Sequence, residues 1–281
     1  MRQRPAITKM QTHIAHTTPP RARGQVALSS KLVNGQSVLA DLHQSGAFKV
    51  LFPRGNDALR PILLNTAGGL TGGDRFALDV HVAAGTHISL TTQAAERAYR
   101  AQPGEVGDVQ TTAKVQDGGC LHWLPQELIL YNGCALERQL RIDLSATARL
   151  LMVEPVVFGR AAMGETVTAG HFKDRIEVTR AGCPLYRDAL RLKGDIAAKL
   201  AGPGTAQGAA AMASGLYVAP NAEAMLDAVR QHLGDLGGAS LLQADALALR
   251  LIAPDSHILR QHLLPVLDLL SQSTLPVSWR L

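Results

Sequence analysis

The chain has 281 residues, a formal net charge of +5, 46% hydrophobic residues and only 4% aromatic ones. That length suits one large domain or two ordinary ones with an aliphatic core of Ala, Leu, Val and Ile, and the composition excludes a disordered or fibrous chain. No apolar run approaches the roughly 20 residues of a membrane span, and Cys120, Cys134 and Cys183 are odd in number and widely spaced, which argues against a disulfide framework and for a reducing, cytoplasmic compartment.

Residues 1–24 contain Pro5, Pro19 and Pro20 and no acidic residue, Asp41 being the first. They read as a flexible basic arm, either a solvated tail or a contact for an acidic partner. No aromatic residue accompanies these charges, which speaks against nucleic acid, and no apolar core follows them, so a secretory signal is not expected. From 25 to 193 the dominant period is two. Phe76, Leu78, Val80 and Val82 alternate with Ala77, Asp79 and His81; Leu136, Leu140, Ile142 and Leu144 alternate with polar residues; so do Ile176 and Val178. Asn34-Gly35, Ser45-Gly46, Ala84-Gly85, Asp117-Gly118-Gly119, Asn132-Gly133 and Ala181-Gly182 punctuate these runs, and each turn expects positive φ. Many short strands joined by such turns make a layered, mainly β body.

Residues 194–281 read as a mixed strand and helix part packed on that body as one structural unit. The Ala/Gly-rich stretch from Gly202 to Gly215 reads as a loop or linker. Asn221 offers an N-cap for a helix carrying Met225, Val229 and Leu233, which Gly237-Gly238 ends. Leu247, Leu249 and Leu251 read as a strand. Asp255 or Ser256 caps a second helix with Leu259, Leu263, Val266, Leu267 and Leu270 on one face, and Pro265 predicts a kink or break in it.

Several constellations could carry chemistry. Gly68, Gly69, Gly72 and Gly73 form a G-G-x-x-G-G turn closed by Asp74, but neither phosphate-loop spacing fits and no helix start follows. The expectation is a close-packed turn between strands, with Asp74 accepting backbone N–H bonds. Cys120 and His122 share one face of a strand; they are an incomplete metal set or a buried thiol beside a satisfied histidine. His13 and His16 are read as an incidental pair. No nucleophile elbow occurs. Glu127 and Glu154 each interrupt an apolar run, where a charge must be paired, hydrated or neutral. Arg160 and Arg97 are available as partners; a wet internal passage is the other reading.

The ordered set Asn65–Asp74 (N-T-A-G-G-L-T-G-G-D), Leu90–Gln93 (L-T-T-Q), Trp123–Glu127 (W-L-P-Q-E), Glu154 before Phe158-Gly159-Arg160 and Gly164-Glu165, and Pro184-Leu185 before Leu190–Leu192 resembles the UreD (UreH) urease accessory proteins over about residues 25–281. Thr66-Ala67 departs from the family pattern, and Ala201–Ser214 matches least. The resemblance implies stacked sheets in a β-helical, solenoid-like arrangement with about two C-terminal helices. It implies a non-enzymatic urease maturation factor that helps deliver nickel to apo-urease through an internal tunnel. The implied partners are a UreF-like protein, the GTPase UreG and urease itself, without nucleic acid or membrane; a homodimer within that complex is left open. Nickel(II) is in transit and no cofactor is tightly bound. By motif position Thr91, Thr92 and Glu154 are expected on the nickel path, and Asp74, Glu127, Arg160 and Glu165 in structural or partner-facing roles. A metal-dependent hydrolase near Cys120 and His122 is the alternative, and a nucleotide-binding glycine turn a third reading.

Overall fold

The computed structural model describes residues 20–53, 58–160 and 163–280. Most of the basic arm, with His13 and His16, lies outside them. In chain order the first strands are β1 Arg23–Val33, β2 Gln36–Gly46, β3 Phe48–Leu51, β4 Ile62–Asn65, β5 Arg75–Val82, β6 His87–Thr92 and β7 Glu96–Ala98. There follow β8 Gly107–Val115, β9 Cys120–Leu124, β10 Leu128–Leu130, β11 Ala135–Leu144, β12 Arg149–Phe158, β13 Gly170–Arg180 and β14 Cys183–Gly194. The C-terminal part holds α1 Ile196–Leu200, β15 Ala211–Val218, α2 Ala222–Leu233, β16 Gly237–Gln243, β17 Ala246–Ala253 and α3 Ser256–Leu270.

Two sheets face each other. The first has the order β14-β13-β11-β8-β5-β1-β2 and the second β16-β17-β15-β12-β9-β6-β4-β3. From β4 to β13 the chain visits them in turn, and successive strands in each sheet pair in parallel, as β5 with β8 and β8 with β11, or β6 with β9 and β9 with β12. This alternation is a solenoid-like coil, and the mainly β fold with its C-terminal helices is the one expected. The turns that drive it stack as well: Gly85 and Gly118 both have positive φ, and Gly85 N–H donates to the Asp117 carbonyl at 3.1 Å. Antiparallel hairpins β1–β2 and β13–β14 close the first sheet, the former through Asn34 and Gly35, both at positive φ.

The sheets differ in burial. β5 alternates between exposed and buried positions because one face of its sheet meets water. The second sheet is covered on both faces at its central strands, so β12 is buried at every residue after Arg149 and β15 throughout. Its inner face packs Leu90, Leu121, Trp123, Leu150 and Met152 against Leu78, Val80, Leu140 and Ile176. Its outer face packs Leu124, Leu151, Val153 and Leu249 against Val229, Leu259, Leu263, Val266 and Trp279.

Five expectations fail or change in part. Residues 211–215 are not linker but the start of β15, a central strand whose small residues show no alternation because both faces are buried. Gly237-Gly238 does not end α2; Gly234 does, and the pair opens β16. Asn221 stands at the N-cap of α2 as expected, but its side-chain Oδ1 accepts from the Tyr217 hydroxyl at 2.8 Å and makes no capping bond. Helix α3 runs unbroken through Pro265, since burying Leu259, Leu263, Val266, Leu267 and Leu270 outweighs the roughly 3 kcal/mol a mid-helix proline costs. The Asp255 cap is as expected, with its carboxylate accepting from Ile258 N–H at 2.8 Å. β1 begins at Arg23, and Arg21 is already tied to Glu105, so the last residues assigned to the arm belong to the body.

Candidate functional site

A cavity of about 300 Å³ lies between the sheets. Trp123, Leu128 and Glu154 of the second sheet line it opposite Phe76, Leu78, Thr111, Leu136, Arg138 and Leu140 of the first. It extends past Thr92, Gln93, Gln126, Glu96 and Arg97 to Asn65 and Gly68 of the glycine turn. A second, water-sized cavity of about 10 Å³ is lined by Asp174, Asp188, Met212 and Ser214. Glu154 lines both.

Glu154 is only 4% exposed. Its position on β12 has the parity of Leu150 and Met152, so it points into the interior. Trp123 Nε1–H donates to its Oε1 at 2.6 Å, and Arg138 Nη1 approaches Oε2 at 2.5 Å. Arg138, reaching across from β11, also grips Asp174 on β13 through Nε at 2.9 Å and Nη2 at 2.5 Å. One guanidinium thus serves two carboxylates, so Glu154 and Asp174 share a single positive charge. Burial pushes the Glu154 carboxyl up, with Asp174 adding to the rise and Arg138 and Trp123 opposing it. Burial likewise raises Glu96 near the other end of the cavity, where Asn65 Nδ2 donates to it at 3.2 Å. The partners expected for Glu154, Arg160 and Arg97, are not the ones it has: Arg138 arrives through a sheet-to-sheet contact that chain proximity does not show.

Thr92 shares the cavity face; its hydroxyl donates to Ala94 O at 3.0 Å and accepts from Gln126 N–H at 2.9 Å. Thr91 does not join it. Strand alternation turns Thr91 to the outer face of the sheet, where its hydroxyl meets Ser278 at 3.3 Å. Glu127 is paired with Arg260 of α3 at 2.6 Å, again not with Arg97 or Arg160, and Arg260 lies 5.3 Å from the Trp279 ring centre. Arg160 and Glu165 pair with each other, at 2.8 and 3.1 Å, and Arg160 stacks 4.4 Å from the Tyr131 ring. That pairing holds Glu165 below the ordinary carboxylate range.

The glycine turn connects β4 of the second sheet to β5 of the first and leads into no helix. Asp74, 4% exposed, accepts from Thr71 N–H at 2.8 Å and from Ala22 N–H at 2.7 Å, the bracing expected of it. Gly69 has φ +152°, and a Cβ there would collide with the Tyr99 ring. The turn is therefore packed against the segment after β7 as well as between the two strands.

On the outer face of the second sheet a third residue joins Cys120 and His122. Among the described residues, His87, Cys120 and His122 are the one group of three His, Cys, Asp or Glu side chains whose ligand atoms fall within 4.8 Å of one another. His87 was missed because it lies on β6, brought beside Cys120 by parallel register. A signal existed: His87 follows Gly85 by two residues, as Cys120 follows Gly118, so aligning the two turns aligns the two strands. No helix among the described residues is long and apolar enough to cross a membrane.

The family model described as UreD urease accessory protein matches residues 22–280. The chain is 53% identical to the urease accessory protein UreD of Roseobacter denitrificans, over 93% of this chain and 96% of that protein. It is 53% identical to the protein of that name from Ruegeria pomeroyi, over 90% and 98%, and 43% identical to that of Rhizobium etli, over 94% and 97%.

Proposed function

The chain belongs to the UreD urease accessory protein family, an accessory role in urease maturation, and from that premise we propose that it passes nickel(II) toward apo-urease through its interior. The observation that carries this reading is the buried Glu154–Arg138–Asp174 triad, in which two carboxylates share one arginine at the border of both cavities. A second carboxylate on one arginine in a low-dielectric interior is costly, and an arriving cation relieves that cost. Carboxylate and hydroxyl oxygens suit a cargo better than a trap, because nickel binds nitrogen and sulfur ligands more firmly. The larger cavity has room for several waters at about 30 Å³ each, so the ion can keep part of its hydration shell. In this scheme Glu96 and Thr92 meet the ion on the glycine-turn side, Glu154 draws it inward, and Asp174 and Asp188 receive it beyond. The chain itself carries out no chemical step. A UreF-like protein and the GTPase UreG supply and gate the nickel, and the urease apoprotein takes it.

Co-expression of urease with its other accessory proteins at limiting nickel tests the proposal. With this chain present, urease is expected to be nickel-loaded and active; without it, urease is expected to remain largely apo. Full loading without the chain overturns the reading.

A further inference from the structure

The outer face of the second sheet carries a compact block of polar side chains in the middle of a hydrophobic layer. Parallel register sets His87 beside Cys120 and Ser89 beside His122, and alternation points all four the same way. Leu121 and Trp123, on the intervening positions, face the cavity side, so the sheet itself separates this block from the nickel path proposed above. Cys120 and His122 are each 7% exposed and Ser89 is 2% exposed. Neither His122 Nδ1 nor Ser89 Oγ makes a hydrogen bond. Two buried polar atoms side by side without partners call for an occupant, because each costs about 1–3 kcal/mol when left unmet.

We propose that His87, Cys120 and His122 hold a thiophilic transition-metal ion of the copper(I) type, with the Ser89 hydroxyl beside it. One sulfur and two imidazole nitrogens are a donor set that copper favours over harder cations. Metal–ligand bonds of about 2.0–2.3 Å place tetrahedral ligands roughly 3.5 Å apart, so atoms already within 4.8 Å need only small rotamer adjustments. Binding removes the proton from Cys120 Sγ to the buffer and forms the metal–sulfur bond with the freed electron pair; no electron changes hands. Because the site offers one thiolate, a monovalent ion leaves it uncharged, whereas a divalent ion such as cobalt(II) binds the same three ligands but less firmly, since it leaves a buried positive charge. The inference does not rest on nickel transfer.

The test uses the full chain carrying Cys183→Ser, which removes the exposed thiol. Titration with cobalt(II) is expected to give a thiolate-to-cobalt charge-transfer band saturating at one ion per chain, and anaerobic copper(I) is expected to displace it. Cys120→Ser, an isosteric change, is expected to abolish the band, whereas Cys134→Ser retains it. His87→Asn, on the half-buried rim, is expected to weaken binding by more than about a hundred-fold, since even outer-shell partners are worth 10–100-fold. Absence of the band in the Cys183→Ser chain, its survival in Cys120→Ser, or unchanged affinity in folded His87→Asn overturns the site. Failure of copper(I) to displace cobalt overturns the preference for a monovalent ion.

Discussion

Glu127, in the link between β9 and β10, and Glu154, on β12, are both carboxylates set in apolar runs and both nearly inaccessible, yet the protein treats them in opposite ways. Glu127 meets one arginine, Arg260, in a bidentate grip at 2.6 and 3.3 Å, and the pair fastens α3 to the sheet. Charge is balanced there, and Glu127 itself lines neither of the two cavities that Glu154 borders. Glu154 shares its arginine with Asp174 and borders two cavities. A buried carboxylate is a fastening where one arginine meets it alone, and under the proposal above it draws a cation where two carboxylates share one.

The sharpest way to break this contrast is Glu127→Ala. It strands the Arg260 guanidinium at a part-buried site and is expected to cost about 2–3 kcal/mol, a fall in Tm of about 5–10 °C by thermal denaturation. Nickel loading of urease, measured per folded molecule, is expected to stay unchanged; a loss there would give Glu127 the role assigned to Glu154. Glu154→Gln is expected to do the reverse, changing stability by less than about 1 kcal/mol near neutral pH while cutting nickel loading, because Gln keeps an acceptor for Trp123 and leaves Arg138 paired with Asp174. The sign of its pH dependence follows from burial. A carboxyl raised above its ordinary 4.5 in the folded chain favours folding fully below that value and loses this contribution as pH rises through the native pKa. Urea midpoints of the Gln variant should therefore decline less with pH than those of the parent; equal slopes would mean that Arg138 neutralises Glu154 after all. The smallest effect is expected for Arg160→Gln. Its pairing with Glu165 is largely solvated, so Tm and nickel loading should both hold, and a change in loading would mark Arg160 as a partner contact.

Legibility in the sequence followed solvent exposure. β5, β11 and β13 alternate because one face of their sheet is wet, and the turns between strands announced themselves through glycine and asparagine at positive φ. β15 did not, since Ala211–Val218 is buried on both sides and its small residues imitate a linker. The same limit applied to the site. Glu154 and Thr92 were visible as motif positions, but Thr91 was misplaced by one step of alternation. Arg138, Asp174 and His87 stayed hidden because each acts across a strand or sheet pairing that local spacing does not encode.

The parallel stack has a consequence in time. Arg23 lies beside Arg75, Arg75 beside Asp108, and Ala135 beside His171, so no coil can dock until the residues of the intervening strand have been collected. Such pairings close long loops before any contact rewards them, and chains built this way assemble slowly. Until α2 and α3 arrive, last in the chain, the apolar outer face of the second sheet lies open to other chains. A protein of this design spends its youth vulnerable to aggregation, and the yield of folded chain should depend on how soon its own α2 and α3 close over the sheet.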